Sequence, residues 1–315
     1  MELKFLFWNI GGLSTWNSVG KSVPFEEEIK SIVDANNIDV LILSEGSSIK
    51  NKNLATKLGF VSVPLKQKNG NKKWIQVFYK AGNGFKISHK SEYSEVIDKD
   101  ENVIEAIYSG KPIDLTSYFE VNRIQLFEIT GSINDTLFAC IHFPSKLYHD
   151  EATHMGIVPV YKSKIHSLAG KNNRLFIVGD FNMNPFDLGM VEPVAFYSHH
   201  NKQLVDTDKR WHMAAYQPLY YNPCWTLLGD FQSGSPTTPN SRMGGTLHYE
   251  ERKSRKLHWY VIDQVIMRKA LIDEFNPGYL QVVEKQEYID EILKPKQKKQ
   301  PKLDHLPIKF SFTFK

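Results

Sequence analysis

Short apolar runs recur along this chain, and they constrain the fold more than any other feature. LKFLFWNI (3–10), IDVLILSE (38–45), TLFACIHF (136–143), LFIVGDFN (175–182), YVIDQVIM (260–267) and IKFSFTF (308–314) are the clearest. Apolar runs of about 4–8 residues bounded by turn signals suit strands covered on both faces. Strands of this kind dominate the chain, with few helices between them. KWIQVFYK (73–80) and NRIQLFEI (122–129) add two more strands, the second by its alternation. Helices are fewer. Pro24 followed by Glu26, Glu27 and Glu28 marks a helix start, and Phe25, Ile29, Ile32 and Val33 share one face up to Asn36-Asn37. Residues 149–169 predict a second helix, kinked or broken at Pro159 and stopped by Gly170.

The 315 residues, 41% hydrophobic and 23% charged, suit an ordinary globular protein. No internal repeat or linker divides them, so residues 1–315 are expected to form a single domain, with loop-rich insertions around 88–120 and 195–256. No stretch approaches the roughly 18 apolar residues of a membrane span. The N-terminal apolar run is short for a signal peptide, and the two cysteines, Cys140 and Cys224, make neither a disulfide framework nor a CxxC metal site. A cytoplasmic protein with inert thiols is the expectation. The net charge of +4 permits an anionic partner without requiring one.

The strand-like runs carry polar residues of one kind at or near their ends. FLFW leads to Asn9, VLILS to Glu45, LFACI to His142, and LFIVG to Asp180 and Asn182. Asp263 sits inside YVIDQVIM, and Asp304-His305 precedes the last run. Gly, Asp, Asn and Pro around 179–187 would by themselves make a turn. An isolated buried carboxylate is costly unless it is paired or bound to metal, so a whole set of them suggests that the strand ends converge. Carboxylate and carboxamide oxygens suit a hard divalent cation such as Mg²⁺ or Mn²⁺. Such a cation with nearby histidines and a base that activates water suits phosphodiester hydrolysis. His149, His154 and His166 lack helical metal-pair spacing and are expected at the surface, with His199-His200 in a loop.

Trp8-Asn9-Ile10, Ser44-Glu45, Ile141-His142-Phe143, Gly179-Asp180-Phe181-Asn182 with Pro185 and Asp187, Ile262-Asp263 and Asp304-His305 occur in this order. Together they resemble the endonuclease/exonuclease/phosphatase superfamily, the fold of pancreatic deoxyribonuclease. The resemblance implies an α+β fold: a four-layer α/β/β/α sandwich of two packed mixed sheets, with one site at one edge. It implies Glu45 as principal metal ligand for Mg²⁺ or Mn²⁺, with Asn9 and Asp304 as further or water-mediated ligands. Asp180 and Asn182 would orient or deprotonate the attacking water and hold the phosphate. His305, held by Asp263, would contact the scissile phosphate, and His142 would stabilise charge or assist the leaving oxygen. Ser44 stands where many members have Gln, Gln264 and Val261 flank Asp263 where an aromatic or Arg is often seen, and no carboxylate partner for His142 is visible.

Three basic segments are expected near such a cleft. Lys66, Lys68, Lys72 and Lys73 form the first. Arg242, Arg252, Lys253, Arg255 and Lys256 form the second. The tract KPKQKKQPK (294–302), with Lys298 and Lys299, forms the third. Trp74, His248, Tyr249, His258 and Trp259 interleave rings with these charges, as a nucleic-acid surface requires. The leading expectation is a nuclease of low sequence specificity acting on DNA, or on RNA. The alternatives are a phosphoinositide phosphatase or sphingomyelinase-like phosphodiesterase, and an inactive binding module on the same fold.

Overall fold

The computed structural model describes residues 1–11, 24–46, 51–65, 75–90, 123–145, 151–170, 172–207, 211–212, 215–216, 218–229, 244–251, 256–293 and 303–315. The first half contributes β1 (Glu2–Asn9), β2 (Val40–Ser44), β3 (Phe60–Ser62), β4 (Ile75–Lys80), β5 (Phe85–His89), β6 (Ile124–Gly131), β7 (Thr136–His142) and β8 (Leu175–Asp180). The second contributes β9 (Ser198–His199), β10 (Trp211–His212), β11 (Ala215–Tyr216), β12 (Tyr220–Tyr221), β13 (Leu247–Glu251), β14 (Lys256–Tyr260), β15 (Asp263–Met267), β16 (Phe275–Val282) and β17 (Ile308–Thr313). The helices are α1 (Phe25–Ala35), α2 (Asn51–Leu58), α3 (Glu151–Ala169), α4 (Leu188–Val191), α5 (Lys202–Thr207) and α6 (Gln286–Leu293).

A six-stranded sheet runs β16-β17-β1-β2-β4-β3, and a seven-stranded sheet runs β5-β6-β7-β8-β15-β12-β9. Both are mixed: β1–β2 and β7–β8 pair in parallel, whereas β1–β17 and β8–β15 pair antiparallel. Their inner faces meet in an aromatic core. Phe5 stacks on Phe310 at 5.0 Å and Phe138 on Phe176 at 5.2 Å, with Phe5 edge-on to Phe176 at 5.5 Å. Offset and edge-to-face rings each add about 1 kcal/mol to what their burial contributes. On the outer face of the six-stranded sheet, α1 and α6 bury Phe25, Ile29, Ile32, Tyr288 and Ile292 against Leu6, Trp8, Leu41 and Leu43. On the other outer face, α3 buries Val158, Tyr161 and Ile165 against Leu137, Ala139, Ile141 and Ile177. The expected α/β/β/α layering is therefore present, and it explains the unbroken apolar runs, because each central strand is covered twice.

Several local expectations change. Helix α3 continues through Pro159 without a break, and Gly170 follows it with φ 56°. Helix α2 was not anticipated, since NKNLATKL offers few apolar positions to reveal a face. The segment 195–256 holds β9 to β13 and α5 among its described residues, so it is more ordered than a run of loops. His199 lies in β9 rather than in a loop. His166 is not a surface residue in chemical terms: its Nε2 lies 2.8 Å from the Tyr220 hydroxyl. Burial, aided by the positive charges of Arg268 and Lys162, lowers its pKa to about 3. His149 and most of 88–120 lie outside the described residues.

Candidate active site

Strand register sets the site. In the six-stranded sheet, Asn9 at the end of β1 lies abreast of Ser44 at the end of β2. In the seven-stranded sheet, His142 at the end of β7 lies abreast of Asp180 at the end of β8, which in turn faces Asp263 at the start of β15. The His142–Asp180 alignment depends on Gly179. A Cβ there would sit 2.0 Å from the Ile141 carbonyl oxygen, so only glycine lets β8 close on β7 at this point.

Two residues leave the strands in the left-handed region, Glu45 (φ 58°) and Asn182 (φ 50°). Consecutive strand residues point to opposite faces. The turn at Glu45 sets this alternation aside, so Ser44 and Glu45 both reach the same cluster. A non-glycine residue held there costs on the order of 1 kcal/mol, and such strain gathers at functional sites.

The two sheets are joined by side chains across the sandwich. Asn9 Nδ2 donates to Asp180 Oδ2 at 3.1 Å and to Glu45 Oε1 at 3.3 Å. Ser44 Oγ lies 3.1 Å from His142 Nδ1, and His142 Nε2 lies 3.6 Å from Glu45 Oε1. His305 Nδ1 lies 2.9 Å from Asp263 Oδ2, while its Nε2 is 4.0 Å from both Asp180 Oδ2 and Asp304 Oδ1. Asp180 Oδ1 accepts from the Asn182 backbone N–H at 2.8 Å. The Asn182 carboxamide donates instead to the Phe143 carbonyl at 2.7 Å, which ties the loop after β8 to the end of β7.

Asn9, Glu45, His142, Asp263 and His305 therefore gather around Asp180, with Asn182 bracing it and Asp304 beside His305. Several residues with no place in the expected site also hold it. Ser44 is the hydrogen-bond partner that His142 lacked in the sequence. Thr246 Oγ1 accepts from the Asp263 backbone N–H at 3.2 Å, and the Trp8 indole donates to the His305 carbonyl at 3.0 Å. Arg123 acts on both His142 and Glu45 through its charge. No motif marks Arg123 or Thr246, while Trp8 and Ser44 stand in the quoted motifs only as neighbours of Asn9 and Glu45. Of the expected basic residues, Lys72, Lys73, Arg252, Lys253, Arg255, Lys298 and Lys299 lie outside the described residues, and Lys256 is described only as the first residue of β14.

The electrostatics separate the two histidines. Burial lowers His142 to about 3, with Arg123 and His305 adding to the effect, so His142 is neutral. Burial also opposes charge on His305, but the carboxylates of Asp263, Asp304 and Asp180 outweigh it and raise His305 well above its ordinary value. Burial raises Asp180 to about 8 against the lowering influence of His305. Burial also raises Glu45, partly offset by His305 and by the Asn9 amide. Environments that push similar groups apart assign different proton roles to them.

The donor set suits a hard cation. Asp180, Asp263 and His305 each offer one ligand atom within 4.8 Å of the others. Asp263 Oδ1 is buried without a hydrogen-bond partner among the described residues. His305 and Asp263 are already bonded to each other, whereas Glu45 and Asp304 keep about a third of their side chains exposed at the open side, 31% and 42%. Carboxylate and carboxamide oxygens are donors suited to a hard divalent cation.

No family model matches the chain, and no curated protein matches it in sequence. Solved structures do match its fold. Truncated TDP2 from Caenorhabditis elegans superposes with a TM-score of 0.54 at 13% identity, covering 100% of this chain and 98% of that one. The Bacteroides thetaiotaomicron endonuclease/exonuclease/phosphatase family protein gives 0.52 at 13% identity, over 99% and 94%. D. rerio TDP2 complexed with a single strand DNA product gives 0.52 at 14% identity, over 99% and 98%. With the layers, the strand order and the strand-end cluster in place, the chain has the fold of the endonuclease/exonuclease/phosphatase superfamily.

Proposed function

We propose that this protein is a divalent-cation-dependent phosphodiester hydrolase acting on nucleic acid, with DNA as its first substrate. The observation that carries the proposal is His305, bonded to Asp263 at 2.9 Å and set 4.0 Å from Asp180, at the junction of both sheets. Glu45, Asn9 and Asp304 would hold Mg²⁺ or Mn²⁺. When bound, the cation supplies charge stabilisation at the phosphoryl oxygens. Asp180, fixed by the Asn182 backbone N–H and the Asn9 amide, is placed to take a proton from the attacking water. His305 brings a positive charge to the scissile phosphate. His142 is neutral, and with Ser44 on Nδ1 it turns Nε2 toward the cleft, where it can hydrogen-bond a phosphoryl or leaving oxygen. Arg123 adds positive charge on the same side.

A nucleic-acid substrate is supported by the D. rerio protein of the same fold, which is complexed with a single strand DNA product. The lysine-rich tract 294–302 supports it further, since it runs directly into Asp304. Neutralising Lys294, Lys296, Lys298 and Lys299 should weaken binding and flatten its salt dependence without changing the cation requirement. The test of the function is a substrate panel: supercoiled plasmid, single-stranded DNA, RNA and a phosphoinositide, each with Mg²⁺, Mn²⁺ or EDTA. Cation-dependent cleavage of DNA supports the proposal. Release of phosphate from the lipid alone moves the function to a phosphatase, and inertness on every substrate leaves a binding module.

A further inference from the structure

Four large apolar side chains are exposed among the described residues, Val61, Phe186 (52% exposed), Leu188 (45%) and Trp225 (39%), and two of them, Phe186 and Trp225, flank one histidine. His200 meets Phe186 edge-on at 5.7 Å and Trp225 edge-on at 6.0 Å, and it stacks on His199 at 4.5 Å. Surface apolar residues scattered singly need no explanation, but a joined group of rings does.

The group is continuous with the strand-end cluster. Phe186 and Leu188 follow Asp180 and Asn182 in one loop. Four residues from Asn182 to Phe186 span at most about 14 Å, the length of roughly four stacked nucleotides at 3.4 Å each. Gln264, next to Asp263, fixes the arrangement. Its amide donates to the Met183 carbonyl in that loop, and its Oε1 accepts from Asn222 Nδ2 at 2.8 Å. Asn222 in turn caps the short helix that carries Trp225, accepting from the Cys224 backbone N–H at 3.0 Å. One buried glutamine thus ties catalytic strand, loop and ring platform together.

We propose that Phe186, His200 and Trp225 form a stacking platform for the bases of a single-stranded nucleic acid whose phosphate lies at Asp180 and His305. The proposal rests on the phosphodiesterase reading above. Exposed ring faces in the loop that follows Asp180 are suited to stacking with bases. Bases expose their faces only when unpaired, which favours a single strand over a duplex.

The test measures binding of a fluorescein-labelled dT oligonucleotide and of a matched duplex to the full chain in EDTA, across a range of salt. Phe186→Ala and Trp225→Ala should each weaken single-strand binding by roughly 5- to 150-fold, the effect of losing one stacked base. The slope of affinity against salt should stay unchanged, because no phosphate contact is lost. Phe186→Tyr and Trp225→Phe keep a ring and should keep the affinity, which excludes misfolding as the cause. With Mg²⁺, the alanine variants should raise KM for the oligonucleotide and leave kcat in place. If the alanine variants bind the oligonucleotide as the wild type does, or lose instead their binding to phosphatidylserine/phosphatidylcholine vesicles, the platform is overturned. If the wild type binds the oligonucleotide through these rings yet does not cleave it, the platform stands and the hydrolase proposal fails.

Discussion

At the scale of single residues, Ser44 and Asp180 show how local environment assigns chemistry. Ser44 Oγ lies within hydrogen-bonding distance of His142 Nδ1, where it helps fix the ring and its tautomer. Ser44→Ala should lower kcat by roughly 10-fold, the scale of one lost buried hydrogen bond, with KM unchanged. Ser44→Thr should restore it, and steady-state kinetics on an oligonucleotide would check both. Asp180 carries a signed prediction for stability. Its folded pKa, pushed up to about 8, lies above the unfolded value of 3.8. Between these values the folded state holds a proton that the unfolded state lacks, so its contribution to stability falls as pH rises. Without divalent cation, wild-type melting temperature should drop relative to Asp180→Asn between about pH 4 and about pH 8, the window set by the two pKa values; parallel profiles would contradict this. The strand-end residues Asn9, Glu45, His142, Asp180, Asp263 and His305 were legible because each interrupts an apolar run. Ser44, Arg123 and Thr246 were not, since a hydroxyl or a lone cation carries no periodicity and gains its meaning only from what it faces across the sandwich.

At the scale of elements, parallel pairing does the positioning. β1 with β2 and β7 with β8 run in the same direction, so their C-terminal ends share one edge of the sandwich. The approach of β8 to β7 requires Gly179. Gly179→Ala would force a Cβ against the Ile141 carbonyl and push the strands apart. It should destabilise the fold by about 3 kcal/mol or more and remove activity even where protein remains folded, as urea denaturation and an activity assay together would show. Helix α3 offers a second pH test. Lys162 is buried, donates to the Pro193 carbonyl at 3.0 Å, and is lowered to about 8 by burial. The unfolded chain keeps this proton up to about 10.5, so stability attributable to Lys162 rises with pH between the two values. Lys162→Met should flatten that rise in melting profiles; an unchanged rise would assign it to other groups. The sequence made β1, β2, β7, β8, β15 and α1 legible through dense or periodic apolar patterns. Helix α2 and the short strands β9 to β12 escaped because each is too brief or too polar to repeat a pattern. Of the kink or break expected at Pro159, the break is absent, because α3 packs along its length on the seven-stranded sheet.

At the scale of the molecule, the site belongs to neither sheet alone. Asn9, Ser44 and Glu45 come from one, and His142, Asp180 and Asp263 come from the other, joined by Asn9 to Asp180 and Ser44 to His142. The aromatic core that packs the sheets face to face therefore also fixes the distances on which hydrolysis would depend. His305 joins them from the segment before β17, which closes the six-stranded sheet against β1. The account stands or falls on whether this junction hydrolyses a phosphodiester with the help of a cation. The measurement is the initial rate of single-stranded DNA cleavage with Mg²⁺ and with EDTA, for the wild type, Asp180→Asn and His305→Ala. Cleavage by the wild type should occur with Mg²⁺ and not with EDTA, and each variant should lower it by about 10²–10⁴. Equal rates in the variants, or cleavage that persists in EDTA, would contradict it.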